Sequence, residues 1–269
     1  MRYFFTIVLL SSLIPLGLQA QHFHTHDGET TPWIDGYEDR LLQKNRQAAG
    51  GTYTASNTIY VPVKFHVGAR NDGSGRLSAQ RVLDQLCELN EDFLDLDIQF
   101  FLADGEINFI NNTTFYTNHG STQNTVMTSQ RDPRALNVYI VENANIDGNT
   151  GGGTVLAYYI PSRDWIVITK TYVRKNDTTL AHEVGHYFSL LHTFNGWECE
   201  GFNEEDTPAP AVSSCGQVPT ERANGSNCNS SGDFLCDTPA DYNNGFGWNG
   251  CDFTLNVLDP IGAPLAPDE

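Results

Sequence analysis

Residues 182–192 read His-Glu-Val-Gly-His-Tyr-Phe-Ser-Leu-Leu-His, which puts three imidazoles and one carboxylate in a single short stretch. Histidines four apart stand one turn above the other on a helix, so His182 and His186 can offer neutral nitrogens to one ion. Glu183 directly follows the first of them. It lies near the metal but off the ligand spacing, a position that suits a general base acting on water at the ion. Zinc requires a third protein ligand, and His192 is the candidate. At about 100° per residue an unbroken helix would carry His192 well off the face shared by the other two, so the chain has to turn near Ser189. Glycine enters left-handed backbone without steric cost, whereas serine costs roughly 1 kcal/mol or more there, so Ser189 departs from the residue that such a turn prefers. A downstream acid, Glu204 or Glu205, is the competing third ligand. No Gly-x-Ser-x-Gly elbow supports a serine nucleophile instead.

The elements that must hold this stretch are legible upstream. Alternation of Ile59, Val61, Val63, Phe65 and Val67 predicts a half-buried strand. Residues 78 to 94 then follow a helical period, with Val82, Leu86, Leu89 and Phe93 on one face. Apolar runs at 98–102, 136–141, 154–160 and 165–173 predict further strands, after which Asp177 or Thr178 is placed to cap the helix carrying His182. Beyond Phe194 the chain turns to Gly, Asn, Asp, Pro and Cys with few periodic apolar runs, which sets a lobe boundary near Gly196. No internal repeat is evident.

The first residues carry an export signature: Met1-Arg2, an apolar run from Tyr3 to Leu18, then Gln19-Ala20. Ser11, Ser12 and Pro15 interrupt the run, and no later segment approaches about 20 apolar residues, so stable membrane insertion is not expected. Residues 1–20 therefore read as a signal peptide for a secreted protein. Residues 21–55, with His22, His24 and His26 at the start and Gly50-Gly51 near the end, read as a prosegment or linker. The formal charge of -18 argues against nucleic acid as a partner. Of six cysteines, Cys199, Cys215, Cys228, Cys236 and Cys251 follow the histidine motif. In an exported chain these predict disulfides of unspecified pairing, and the lack of paired Cys-x-x-Cys spacing argues against a structural zinc. Cys87, in the first helical pattern, is open to two readings, a buried thiol or a partner for the fifth downstream cysteine.

Together with Thr179-Leu180-Ala181 and Thr193-Phe194 around the histidine motif, the chain resembles the pappalysin family of metzincin zinc metallopeptidases. Tyr60-Val61-Pro62-Val63-Lys64-Phe65-His66-Val67 resembles that family's first strand, and Leu89-Asn90-Glu91-Asp92-Phe93 resembles the end of its first helix. Gly232-Asp233-Phe234-Leu235-Cys236-Asp237-Thr238-Pro239 resembles the segment that follows the zinc motif. The resemblance implies an α+β fold: a metzincin-like two-lobed catalytic domain over 56–269, with a mixed sheet and active-site helix in 56–195 and an irregular, disulfide-linked lobe in 196–269. It implies zinc on His182, His186 and His192, Glu183 as general base, and peptide or protein substrates added as a strand along Val155, Leu156, Ala157 and Tyr158. It also implies calcium at Asp233, Asp237 and Thr238. Metzincins carry a methionine turn below the zinc, and Met1 and Met127 both precede the motif, so the expectation is a C-terminally incomplete lower lobe. The expected function is a secreted zinc endopeptidase. The alternative is a truncated or impaired zinc-binding lobe that holds peptide or protein without turnover. The oligomeric state is left open.

Overall fold

The computed structural model describes residues 58–146, 155–215, 218–244, 248–249 and 252–266. The expected signal peptide and leader, Thr154, Cys251 and residues 267–269 lie outside them. The described chain forms two compact units that divide between Ser189 and Leu190.

The first unit is a mixed six-stranded sheet with helices. Strands β1 (Ile59–Ala69), β2 (Ile98–Leu102), β3 (Asn108–Asn111), β4 (Leu136–Val141), β5 (Ala157–Ile160) and β6 (Trp165–Thr169) assemble in the order β2-β1-β4-β6-β5. β3 extends beside the second half of β1. All pairs are parallel except β5 with β6, so β5 is an antiparallel edge strand. The alternation in β1 turns Val61, Val63, Phe65 and Val67 to one face. There they meet Leu136, Val138 and Ile140 of β4, Ile166 and Ile168 of β6, and two helices.

Helix α1 (Ala79–Asp92) begins at Ser78, whose hydroxyl accepts from the Arg81 N–H, and buries Val82 and Leu89 in this core. Helix α2 (Thr113–Thr117) sends Phe115 into a second cluster with Met127, Tyr139, Trp165 and Val167. Strands β4 and β6, with cores on both faces, are buried along their whole length, as continuous apolar runs require. Each fully buried Val, Leu, Ile or Phe stabilises such a core by roughly 1.5–3 kcal/mol.

Two expected strands are shorter than the apolar runs that suggested them. The strand expected over 165–173 stops at Thr169, and Lys170–Tyr172 form a 3₁₀ turn. Of the described part of the strand expected over 154–160, Ala157–Ile160 form the strand and Val155 and Leu156 lie outside it. The cause is hydrogen bonding from side chains. The Thr169 hydroxyl accepts from the Ala144 N–H and donates to the Val155 carbonyl, while the Val155 N–H goes to Asn145 Oδ1.

The second unit is mostly irregular and has its own core of Trp197, Phe202, Ala209, Ala240, Tyr242, Val257 and Leu265. Disulfides join Cys199 to Cys215 and Cys228 to Cys236, so none of these four is a thiolate ligand. A two-residue pairing of β7 (Trp248–Asn249) with β8 (Asp252–Phe253) is its one strand pair among the described residues. Cys87 is an exposed thiol on α1, which corrects the buried reading: it lies on the solvent side of the helix that buries Val82 and Leu89. No helix among the described residues is long and apolar enough to cross a membrane.

Candidate metal centre

The centre is built on α3 (Thr179–Tyr187) and the chain just beyond it. Thr178 occupies the N-cap position without a side-chain cap bond, and Asp177 Oδ1 accepts from the Thr179 N–H at 3.1 Å. Leu180, Ala181 and Val184 pack into the sheet core and fix which way the helix faces. His182 and His186 are left half-buried, with their Nε2 atoms 3.1 Å apart. At the other end, Phe188 donates to the Val184 carbonyl and Ser189 to the His186 carbonyl at 2.8 Å. Ser189 has φ +73°, the left-handed position that ends many helices and is usually glycine. The chain therefore turns within two residues of the helix end, and one ligand nitrogen each from His182, His186 and His192 lies within 4.8 Å of the others.

His192 is 6% exposed and held by contacts of its own unit. Its ring stacks on Phe194 with centroids 4.7 Å apart, and its Nδ1 faces Glu198 Oε1 at 3.8 Å. The other oxygen of Glu198 accepts from the Gly196 N–H at 2.8 Å. Gly196 has φ +94°, and a Cβ there would run into Ser213 Oγ, so the loop needs glycine. Thr193 donates to Asp241 Oδ2 at 2.8 Å, and Asn195 Nδ2 donates to the Gly232 carbonyl at 2.7 Å. Burial pushes the Asp241 carboxyl up, against the Asn243 N–H and the Thr193 hydroxyl, which pull it down.

Glu183 is 1% exposed, and burial pushes its carboxyl up to about 8 against the backbone N–H of Tyr159, which favours the charged form. Tyr159 lies on edge strand β5. Thr169 N donates to the Leu156 carbonyl at 2.8 Å, so the alternation of an antiparallel ladder turns the main-chain groups of Leu156, Tyr158 and Ile160 toward β6. Those of Ala157 and Tyr159 point to the free edge. Of the four residues expected to receive substrate, only Ala157 turns both main-chain groups outward from within the strand.

The model of peptidase family M43, described as pregnancy-associated plasma protein-A, matches residues 120–259, just over half of the chain. This chain belongs to the pappalysin family. It is 31% identical over 199 residues to an extracellular metalloprotease of Verticillium alfalfae, covering 65% of this chain and 66% of that one. It is 30% identical over 197 residues to an extracellular metalloprotease of Neurospora crassa, covering 65% of each. A Colletotrichum graminicola extracellular metalloprotease is 30% identical over 183 residues, with 60% of this chain and 62% of that one covered. The chain thus spans slightly less than two thirds of the length of these relatives.

Membership in a metallopeptidase family implies a metal, and the donor set fits zinc. Two nitrogens at about 2.0–2.1 Å from one tetrahedral zinc lie about 3.3 Å apart, close to the separation of the His182 and His186 nitrogens. The competing acids Glu204 and Glu205 sit in an exposed 3₁₀ turn and join no metal-ligand cluster among the described residues.

The residues named for calcium by the pappalysin resemblance lie around one turn of the second unit. Asp233 is buried with Oδ1 accepting from the Leu235 N–H and Oδ2 from the Thr238 hydroxyl, while Asp237 is exposed. Asp233 and Thr238 thus organise a turn with each other. Beside them is an acid that sequence reasoning missed. Glu221 is 3% exposed, and burial, then the charge of Asp233, push its carboxyl up to about 8. Gly232, at φ +55°, lies so close that a Cβ would strike the Glu221 carboxylate. The missed groups at the histidine centre are Glu198, Asp241 and the Tyr159 N–H. None carries a periodic or spacing signal, because each reaches the centre from irregular chain or from a distant strand.

Proposed function

We propose that the protein is a secreted zinc endopeptidase, with residues 1–20 as export signal, 21–55 as leader and 56–269 as the metallopeptidase domain. The observation that carries this reading is the convergence of His182, His186 and His192 beside the buried acid Glu183. The three imidazoles hold zinc, which when bound polarises the substrate carbonyl and lowers the pKa of water toward about 7. Glu183 takes the proton of the attacking water and returns it to the leaving amine. An acid raised by burial is a stronger base when ionised, which suits both transfers. Ala157, with N–H and C=O at the free edge of β5, pairs with the substrate main chain, while Val155, Leu156 and Tyr158 shape the strand around it. Relatives named as extracellular metalloproteases support the activity and the compartment.

The test is to purify the secreted chain, measure zinc per chain, and follow cleavage of quenched-fluorescent peptides by wild type and Glu183→Ala. We expect one zinc in both and cleavage reduced by roughly 10³-fold or more in the variant. Equal cleavage by both refutes Glu183 as base. Zinc binding without cleavage by wild type favours the alternative, a lobe that holds peptide without turnover.

A second cation is also proposed, calcium, near Asp233. The observation in its favour is that Thr220 Oγ1 and both Glu221 carboxylate oxygens are buried without a hydrogen-bond partner among the described residues. Calcium should raise the melting temperature of wild type and leave that of Glu221→Gln unmoved; equal shifts would remove calcium from the proposal.

A further inference from the structure

The side chain of Tyr159 packs on α3. Its ring packs edge-on against Tyr187, with centroids 6.1 Å apart and planes at 88°, and its hydroxyl donates to Asp164 Oδ1 at 3.0 Å, which fixes the ring. Glu183 and Tyr187 are four apart on the helix and share one face, so the strand residue that packs on Tyr187 also lies over Glu183. The ladder parity of β5 turns the Tyr159 N–H away from β6 and toward that face. Tyr158 cannot take this role, because its N–H points to β6, and a one-residue slip of the strand would put the wrong donor at the acid.

We infer that the main-chain N–H of Tyr159 is the positioning donor for the Glu183 carboxylate, so that the edge strand facing the substrate also sets the acid that acts on it. This rests on the proposed role of Glu183. A buried carboxylate that ionises needs donors aimed at it, and a main-chain N–H held by a sheet supplies one without side-chain freedom. The edge strand and the metal helix then form one device. A substrate that straightens or shifts β5 moves the base with it, and a displacement of about 1 Å at this distance from the chemistry is enough to cost roughly 10²-fold in rate.

The test has two readouts. The first is amide exchange by NMR on the whole secreted chain, with no need of metal or turnover. An outward-facing edge amide exchanges fast unless something accepts its proton, so Tyr159 should be protected in wild type and lose roughly tenfold or more of that protection in Glu183→Ala. The Tyr158 amide, bonded to β6, serves as control and should hold its rate. No change at either amide, or an equal change at both, overturns the inference.

The second readout replaces residue 159 with the α-hydroxy analogue of tyrosine, which removes the N–H and keeps the ring. With zinc content unchanged, kcat should fall by roughly 10²-fold with KM little altered. A loss confined to KM, or an unchanged kcat, overturns it. If wild type proves inactive the function fails, and the exchange result still decides the inference.

Discussion

Replacing His119 with glutamine should make the protein less sensitive to acid by about 2 kcal/mol. His119 is fully buried, with Nε2 2.6 Å from the Tyr158 hydroxyl, and burial lowers its pKa from 6.5 to about 4. The folded protein thus refuses a proton that the unfolded chain takes up near 6.5. Stability from this group is fully present above that value and is lost as pH falls toward 4, because the unfolded state binds more protons throughout the window. Integrating over a shift of this size gives about 2.4 kcal/mol lost between about pH 7 and about pH 4.5. Wild type alone cannot show this. His66, also lowered to about 4 by burial, adds a parallel loss, while Glu221, raised by burial, gains stability as it protonates below about 8. The difference between variant and wild type cancels both. Glutamine cannot titrate, and its amide can still bond Tyr158. Urea unfolding followed by circular dichroism at the two pH values gives the difference at each. It should move by about 2 kcal/mol in favour of His119→Gln on acidification, and a difference constant to within about 0.5 kcal/mol would refute the burial argument.

Glu198→Gln should weaken zinc binding by roughly 10- to 100-fold, since the carboxylate facing His192 Nδ1 orients the ring; competition with a chelator of known affinity measures it, and unchanged affinity would assign Glu198 to the loop alone. Replacing both Cys228 and Cys236 with serine should cost about 2.5 kcal/mol, and the wider Cys199–Cys215 closure about 3 kcal/mol, from sequence separations of 8 and 16 in chemical unfolding of the second unit. No cost for either pair would mean that native contacts alone hold the loops. Cys87 should react with a maleimide in the folded protein at nearly the rate of the unfolded chain, and strong protection would contradict its exposed position on α1.

Strands stood out in the sequence where burial is uniform or alternates. β1, β2 and β4 fall where Val61-Val63-Phe65, 98–102 and 136–141 place them, because one or both faces of these strands demand apolar residues. α1 stands out for the same reason, through Val82 and Leu89. β3 does not: Asn-Phe-Ile-Asn is polar at both ends and short, and Asn108 is there to reach His66 Nδ1 at 2.9 Å, a contact with no local signature. The end of β6 was hidden because Thr169 is as good a strand residue as Val173. What stops the strand is a hydroxyl bonded across to Ala144 and Val155, a fact of the fold rather than of the pattern.

At the metal centre the same division separates ligands from their supports. The three histidines lie in one continuous stretch, so helix geometry and one forced turn bring them together, and both can be read from spacing. Ser189 does adopt the left-handed backbone that spacing requires, at a steric cost of roughly 1–2 kcal/mol. That cost is offset locally, since the turn gives the His186 carbonyl, which would otherwise lack a helical partner, the Ser189 N–H at 2.8 Å. The supports have no such locality. Glu198 faces His192 from a loop that Gly196 makes possible, Asp241 holds Thr193 from across the second unit, and Tyr159 reaches Glu183 only because a two-residue ladder parity happens to turn its N–H outward. A ligand set defined by spacing can therefore be found from sequence alone, whereas the groups that tune it depend on strand register and loop closure, which the sequence encodes only through the whole fold.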